Sequence, residues 1–206
     1  LQKALPTIKK SLRVKHHAAL PFAEMAPFMK RLSDQAGVSA RALEFCILTA
    51  TRTGETIHAR WSEIDLSNRT WTIPAERMKV PRPHRVPLSS AALSILSDMG
   101  PPAQPTDFIF PGLRQGRPLS NMALLMTLKR MGRGDLTTHG FRSTFRDWAA
   151  ERTDFPREVA EAALAHIVSN QVEAAYRRGD LFEKRRKLMD AWSAYCVPVP
   201  TIARMT

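Results

Sequence analysis

The chain has 206 residues, enough for one well-buried domain with an arm, and its 44% hydrophobic content is ordinary for a globular protein. Its charge is not ordinary: 31 Lys and Arg against 19 Asp and Glu give +12, which points to a polyanionic partner. No apolar run reaches the length of a membrane span, no signal peptide is evident, and Cys46 and Cys196 form neither a metal nor a disulfide pattern, so a reducing cytoplasm is expected.

Residues 1–20 carry Lys3, Lys9, Lys10, Arg13 and Lys15 with no sustained apolar period and read as a basic linker; Leu1 is not an initiator methionine, which suits a piece of a longer protein. Pro27 and Gly37 bracket a first helix holding Phe28, Met29 and Leu32. Ser39 reads as the cap of the next. From Ala42 to Ala50 that helix is apolar almost all round, as a segment buried on every side would be, and it ends by presenting Arg52 and Glu55. From Trp61 the period shortens: Ile64–Leu66 and Thr70–Ile73 alternate like a hairpin, and Arg85–Leu88 reads as a third, edge strand ended by proline. Between the second and third strands runs a basic, proline-bearing loop, Glu76 to His84, so the small sheet holds out a lysine, Lys79. Ser89 and Ser90 open a helix that stops at Gly100-Pro101-Pro102, and a loop with the apolar element Phe108-Ile109-Phe110 leads to a helix from Met122 to Met131 that Ser120 should cap.

The next stretch concentrates the chemistry. Thr138 reads as the N-cap of a helix continued by Phe141, Phe145, Trp148 and Ala149, which puts His139 and Arg142 one turn apart on one face, near the end of the helix that favours anions. Pro156 suits the first turn of a second helix running to Leu164, with His166 near its C-terminus, where the dipole favours imidazolium. Ser169 can cap a third helix with Tyr176 about two turns in. Two imidazoles, a guanidinium and a phenol in basic surroundings outline a phosphate site. Leu188, Met189, Trp192, Tyr195 and Cys196 then form an apolar stripe on a last helix opposite Lys184-Arg185-Arg186-Lys187, and residues 197–206 read as an extended tail. The expected architecture is mainly α with a small three-stranded antiparallel sheet, an α+β fold.

Taken singly, each of these residues has a bland reading: a cation at a helix end, a solvated lysine, a core histidine. The ordered set does not. Arg52-Thr53-Gly54-Glu55, Trp61 to Leu66, Ile73 to Lys79, His84-Arg85-Val86-Pro87-Leu88, His139-Gly140-Phe141-Arg142, and Leu164-Ala165-His166 ten positions before Tyr176 together resemble the catalytic domain of a tyrosine recombinase of the phage, prophage and genomic-island integrase kind. The resemblance covers Ala19 to Cys196, with one departure: Ala50 stands where the family usually has glycine.

The resemblance implies site-specific DNA recombination through a 3′-phosphotyrosyl intermediate. Tyr176 would be the nucleophile, Arg52 and Arg142 the phosphate clamps, His139 and His166 further donors or bases, and Lys79 the acid for the leaving oxygen. Glu55 would hold its neighbours in place, and Lys79, Arg82, His84, Arg177 and Arg178 would contact DNA. It implies no metal and no cofactor. Its partners would be double-stranded attachment sites and, on DNA, three further copies, with the last apolar stripe packing partly on a neighbour; the isolated chain could be a monomer. The domains implied are residues 1–20, a connector from a preceding DNA-binding domain; residues 21–196, catalytic; and residues 197–206, a tail. Two readings compete: a type IB topoisomerase, which would relax supercoils without strand exchange, and a non-catalytic helical DNA-binding domain, in which Tyr176 would only pack.

Overall fold

The computed structural model describes residues 18–166 and 179–198. Helix α1 (Met25–Ser33) turns Met25, Phe28, Met29 and Leu32 inward, the spacing of an amphipathic helix. Helix α2 (Val38–Thr49) is buried at every position from Ala42 to Thr49. It is the post of the fold, packed round by α1, α4 (Ser90–Asp98), α5 (Ala123–Arg130) and α8 (Phe182–Cys196). Ser39 does not cap it. Gly37, at φ +98, holds the N-cap, and the Ser39 hydroxyl instead accepts from Thr127 and Arg130 of α5 at 3.0 and 3.1 Å. Ser120 likewise gives Ala123 only its backbone carbonyl, and Met122 is the N-cap of α5.

Strands β1 (Ile64–Asp65), β2 (Thr70–Ile73) and β3 (His84–Pro87) form an antiparallel sheet in that order. Trp71 pairs with Val86 and Ile73 with His84. Trp71, Ile73 and Val86 are buried, so one face of this small sheet closes the core. The Trp71 indole donates to Glu63 at 2.9 Å, and Arg77 pairs with the same carboxylate, which staples the turn at Ala75–Arg77 to the segment before β1.

Helix α6 (Gly140–Arg152) begins on His139, and the hydroxyl that accepts the Gly140 N–H is that of Thr137, at 3.0 Å, rather than Thr138, which is buried. Gly140 is required by close approach: a Cβ there would sit 2.1 Å from the Ala18 carbonyl oxygen. The Leu20 carbonyl accepts from Thr144 at 2.6 Å and Leu20 is 2% exposed. Residues 18–20 therefore belong to the packed body rather than to a linker. Pro156 is the N-cap of α7 (Arg157–Ala163), one position before the first turn.

Helix α8 lays its stripe inside the chain. Leu188, Met189, Trp192 and Cys196 are buried; the Trp192 indole donates to the Ile47 carbonyl at 2.9 Å, and its ring lies 5.4 Å from Phe145 and 5.0 Å from Trp148. Each such side chain contributes about 1.5–3 kcal/mol by burial. The stripe expected against a neighbour is thus this chain's own core, and half-buried Tyr195 stacks on Trp192 within it. Arg185 also departs from expectation. It is 1% exposed, bonded to Asp180 and to the Arg85 carbonyl, because the start of α8 packs on β3. No helix among the described residues is long and apolar enough to cross a membrane.

Candidate active site

The turn after α2 sets Arg52. Ala50 takes a left-handed conformation at φ +52, and a chain of buried hydroxyls, Thr49 to Thr51 at 2.9 Å and Thr51 to Thr56 at 2.9 Å, ties the end of α2 to the start of the next helix. Arg52 is then the N-cap of α3 (Thr53–Ile57). Glu55 closes a capping box: one oxygen accepts the Arg52 backbone N–H at 2.7 Å and the other its Nη1 at 2.6 Å. A single carboxylate therefore orients both the backbone and the head group of Arg52.

Arg142 comes from the first turn of α6 and is 4% exposed. Its Nη1 donates to the Ala50 carbonyl, and its Nη2 donates to the Leu164 carbonyl at 2.6 Å and lies 3.3 Å from His166 Nε2. Among the described residues no carboxylate hydrogen-bonds to it, and its Nε has no partner. Burial, with the charge of Arg52 beside it, pushes its pKa down to about 10. A buried guanidinium held by neutral groups next to another guanidinium is a seat for an anion.

His166 ends α7 in a Schellman turn. Ala165 is left-handed at φ +49, its N–H reaching the Ala162 carbonyl, and the His166 N–H reaches the Glu161 carbonyl at 3.0 Å. Its Nδ1 lies 2.6 Å from Glu161 Oε2. The dipole does not decide its protonation. Burial lowers its pKa, the hydrogen bond to Glu161 opposes this, and the charge of Arg142 lowers it further. His139 stands exposed at the N-cap of α6, three positions before Arg142.

The β2–β3 hairpin supplies the facing wall. Lys79 and Arg82 are exposed, and with Arg52, His84 and His166 they line a cleft of about 280 Å³. His84 is half-buried. Burial, then the charge of Arg185, brings its pKa down to about 4 even though its ring hydrogen-bonds the Ala163 backbone. It is a neutral strut between β3 and α7. Tyr176, Arg177 and Arg178 lie outside the described residues, and Gly179 and Asp180 line the cleft on the far side of that gap.

Sequence reasoning missed three acids that build this wall. Asp180 accepts from Nε and Nη2 of Arg85, at 3.0 and 2.9 Å, and also from Arg185; Glu63 anchors Arg77; Glu161 holds His166. Each is an ordinary surface acid by spacing, and only the fold brings it to its cation.

A mostly helical body with a three-stranded antiparallel sheet, in which Arg142 meets His166 and the latter shares a cleft with Arg52 and a lysine-bearing hairpin, has the tyrosine recombinase catalytic fold. Residues 19–181 match the Phage integrase family, and the chain belongs to it. It is 44% identical over 149 residues to prophage integrase IntA of Escherichia coli K12, across 71% of this chain and 36% of that protein. It is 36% identical to prophage integrase IntZ of the same strain, across 92% and 47%. The chain thus spans half or less of the length of these curated relatives. In fold it is similar to the integrase from mycobacterium phage Brujita, with a TM-score of 0.64 at 14% identity over 98% of this chain and 63% of that one. It is also similar to a lambda integrase(75-356) dimer bound to a COC′ core site, with a TM-score of 0.54 at 19% identity over 80% and 60%.

Proposed function

We propose that this chain is the catalytic part of a site-specific recombinase that integrates or excises a mobile element by cutting and rejoining double-stranded DNA. The observation that carries the reading is Arg142, a buried guanidinium with no carboxylate bonded to it among the described residues, set against His166, which with Arg52 lines a cation-rich cleft. Its relatives are named integrases, and one structural neighbour is bound to a core site.

In this mechanism Arg52 and Arg142 hold the non-bridging oxygens of one phosphate, where planar two-bond donors meet charge that shifts as the reaction proceeds. Tyr176 Oη attacks phosphorus and the bond to the 5′-oxygen breaks. The phenol proton passes to a base at the site, His139 in this reading, and Lys79 gives a proton to the departing oxygen. The 3′-phosphotyrosyl link conserves the bond, so a second 5′-hydroxyl reverses the step on a new strand without a nucleotide cofactor. Exchange between two duplexes requires four such cuts and so four copies.

The test is a denaturing gel with a nicked duplex carrying the element's attachment core. The wild-type chain should form a covalent adduct and Tyr176→Phe none, with DNA affinity within a few-fold, since only the nucleophilic oxygen is lost. An adduct that persists in the variant and maps to Tyr195 overturns the assignment.

A further inference from the structure

Glu161 does more at this site than close a helix. Its Oε2 lies 2.6 Å from His166 Nδ1, its backbone carbonyl takes the His166 N–H at 3.0 Å, and its Oε1 lies 2.9 Å from Arg146 Nε. Arg157, one turn earlier on α7, stands 3.7 Å from the same oxygen. Helix α6 therefore contributes at both ends of one relay: Arg142 reaches His166 Nε2, and Arg146, one turn on, steadies the carboxylate on the other side of the ring.

The tautomer is set by donor chemistry. A guanidinium only donates, so the nitrogen facing Arg142 is the unprotonated one, and the ring proton sits on Nδ1 toward Glu161. In that form His166 has no hydrogen to give a phosphate oxygen. We propose that Glu161 is a positioning residue that fixes this tautomer and lets His166 take a solvent proton on Nε2 when phosphate enters, so that the imidazolium donates to the phosphate. The inference rests on the recombinase reading for its phosphate.

The surrounding charges give that role to Glu161. Arg142 from α6 and Arg52 from the α2–α3 turn both lower the basicity of the ring, while Glu161 raises it. Across the cleft the hairpin adds Lys79 and Arg82, with His84 neutral. Of the nearby acids, Glu55 is taken up by Arg52, and Asp180 by Arg85 and Arg185. Among the described residues Glu161 is the acid that hydrogen-bonds the imidazole. An arriving phosphodiester monoanion offsets one of the two guanidinium charges, and the carboxylate behind the ring then stabilises the added proton.

The test reads the imidazole directly, by nitrogen NMR of ¹⁵N-histidine protein, with His166→Asn to assign the signal. Inorganic sulfate serves as the probe because its charge is constant across the titration. Wild type should carry its proton on Nδ1, and sulfate should move the His166 titration to higher pH. Glu161→Gln should move it to lower pH and weaken the response to sulfate. In single-turnover adduct formation, Glu161→Gln should be about tenfold slower at pH 8, the scale on which a carboxylate supports a working imidazole, and close to wild type at pH 6. A proton on Nε2 in the free protein, a titration that Glu161→Gln leaves unmoved, or an equal loss of rate at every pH overturns the proposal. If wild type forms no adduct, the recombinase reading fails, and the NMR result still decides the place of Glu161.

Discussion

Glu44 sits midway along the most buried helix, 4% exposed, and its Oε1 has no hydrogen-bond partner. Burial raises its pKa to about 7; Arg41, with Nη1 2.9 Å from Oε2, pulls the other way, and Asp98 adds to the rise. The sign is the reverse of the usual paired carboxylate. The neutral form is favoured in the fold, so its contribution to stability is full below pH 4.5 and is lost as pH rises through about 7. Glu44→Gln should therefore unfold at a higher temperature than wild type at pH 8 and at nearly the same temperature at pH 4.5. Arg41 does not suffer, because its Nη2 also bonds the carbonyls of Leu32, Ser33 and Gln35. A lower melting temperature for the variant at pH 8 would mean that the ion pair outweighs the burial. At this scale the sequence was legible where chemistry dictates residue type. The pair Arg52 and Glu55 is explicit in the spacing, and the glycine usual at the position of Ala50 hints at its left-handed turn at φ +52, whereas nothing in the letters says that Ala165 is left-handed at φ +49. Alanine carries no mark of that conformation, which costs about 1–2 kcal/mol, and glycine at either position would have signalled the turn.

The β2–β3 hairpin is the element on which the proton donor turns. Its base is stapled twice, by Arg77 on Glu63 and by His84 to the Ala163 backbone, while Lys79 stays exposed on the cleft wall. If the Lys79 ammonium protonates the leaving 5′-oxygen, Lys79→Ala should slow cleavage by about 10²-fold or more. Replacing that oxygen with sulfur gives a leaving group that departs as the anion, so Lys79→Ala should recover most of its rate on the sulfur substrate and Arg52→Ala should not. His84→Ala should lose rate equally on both substrates, since burial lowers the His84 pKa to about 4 and a neutral imidazole is too weak an acid to protonate the leaving oxygen. Rescue of His84→Ala but not Lys79→Ala would reverse the two roles. The hairpin was legible because strand alternation survives in Thr70–Ile73. Helix caps were not: Ser39, Ser120 and Thr138 each have the right side chain, but helix packing and the crossing of residues 18–20 gave the capping positions to Gly37, Met122 and His139.

At the scale of the whole molecule two features of the sequence part company. The apolar stripe of α8 is packed into this chain's own core, with Trp192 wedged among Phe145, Trp148 and the Ile47 carbonyl. The excess charge is not consumed. Several of its cations are neutralised in structural pairs, Arg85 and Arg185 on Asp180, Arg77 on Glu63 and Arg52 on Glu55, while Lys79 and Arg82 stand exposed on the cleft wall and Arg142, bonded to no carboxylate among the described residues, lies against His166. Contacts from such groups go to phosphate oxygens and carry little sequence information, so affinity should be dominated by counterion release. If Arg52 and Arg142 share one phosphate and Lys79 and Arg82 meet one each, log Kd against log salt should have a slope of about 2.7 from these three phosphates alone, at roughly 0.9 per phosphate. Further Lys and Arg on the same face would steepen it. Replacing Lys79 and Arg82 with alanine should lower the slope by about 2 on specific and random duplexes alike, because both lose phosphates rather than bases. Fluorescence anisotropy across a salt series measures it. A flat salt dependence would remove nucleic acid as the partner, and a slope unchanged by the double substitution would place the DNA on another face of the molecule.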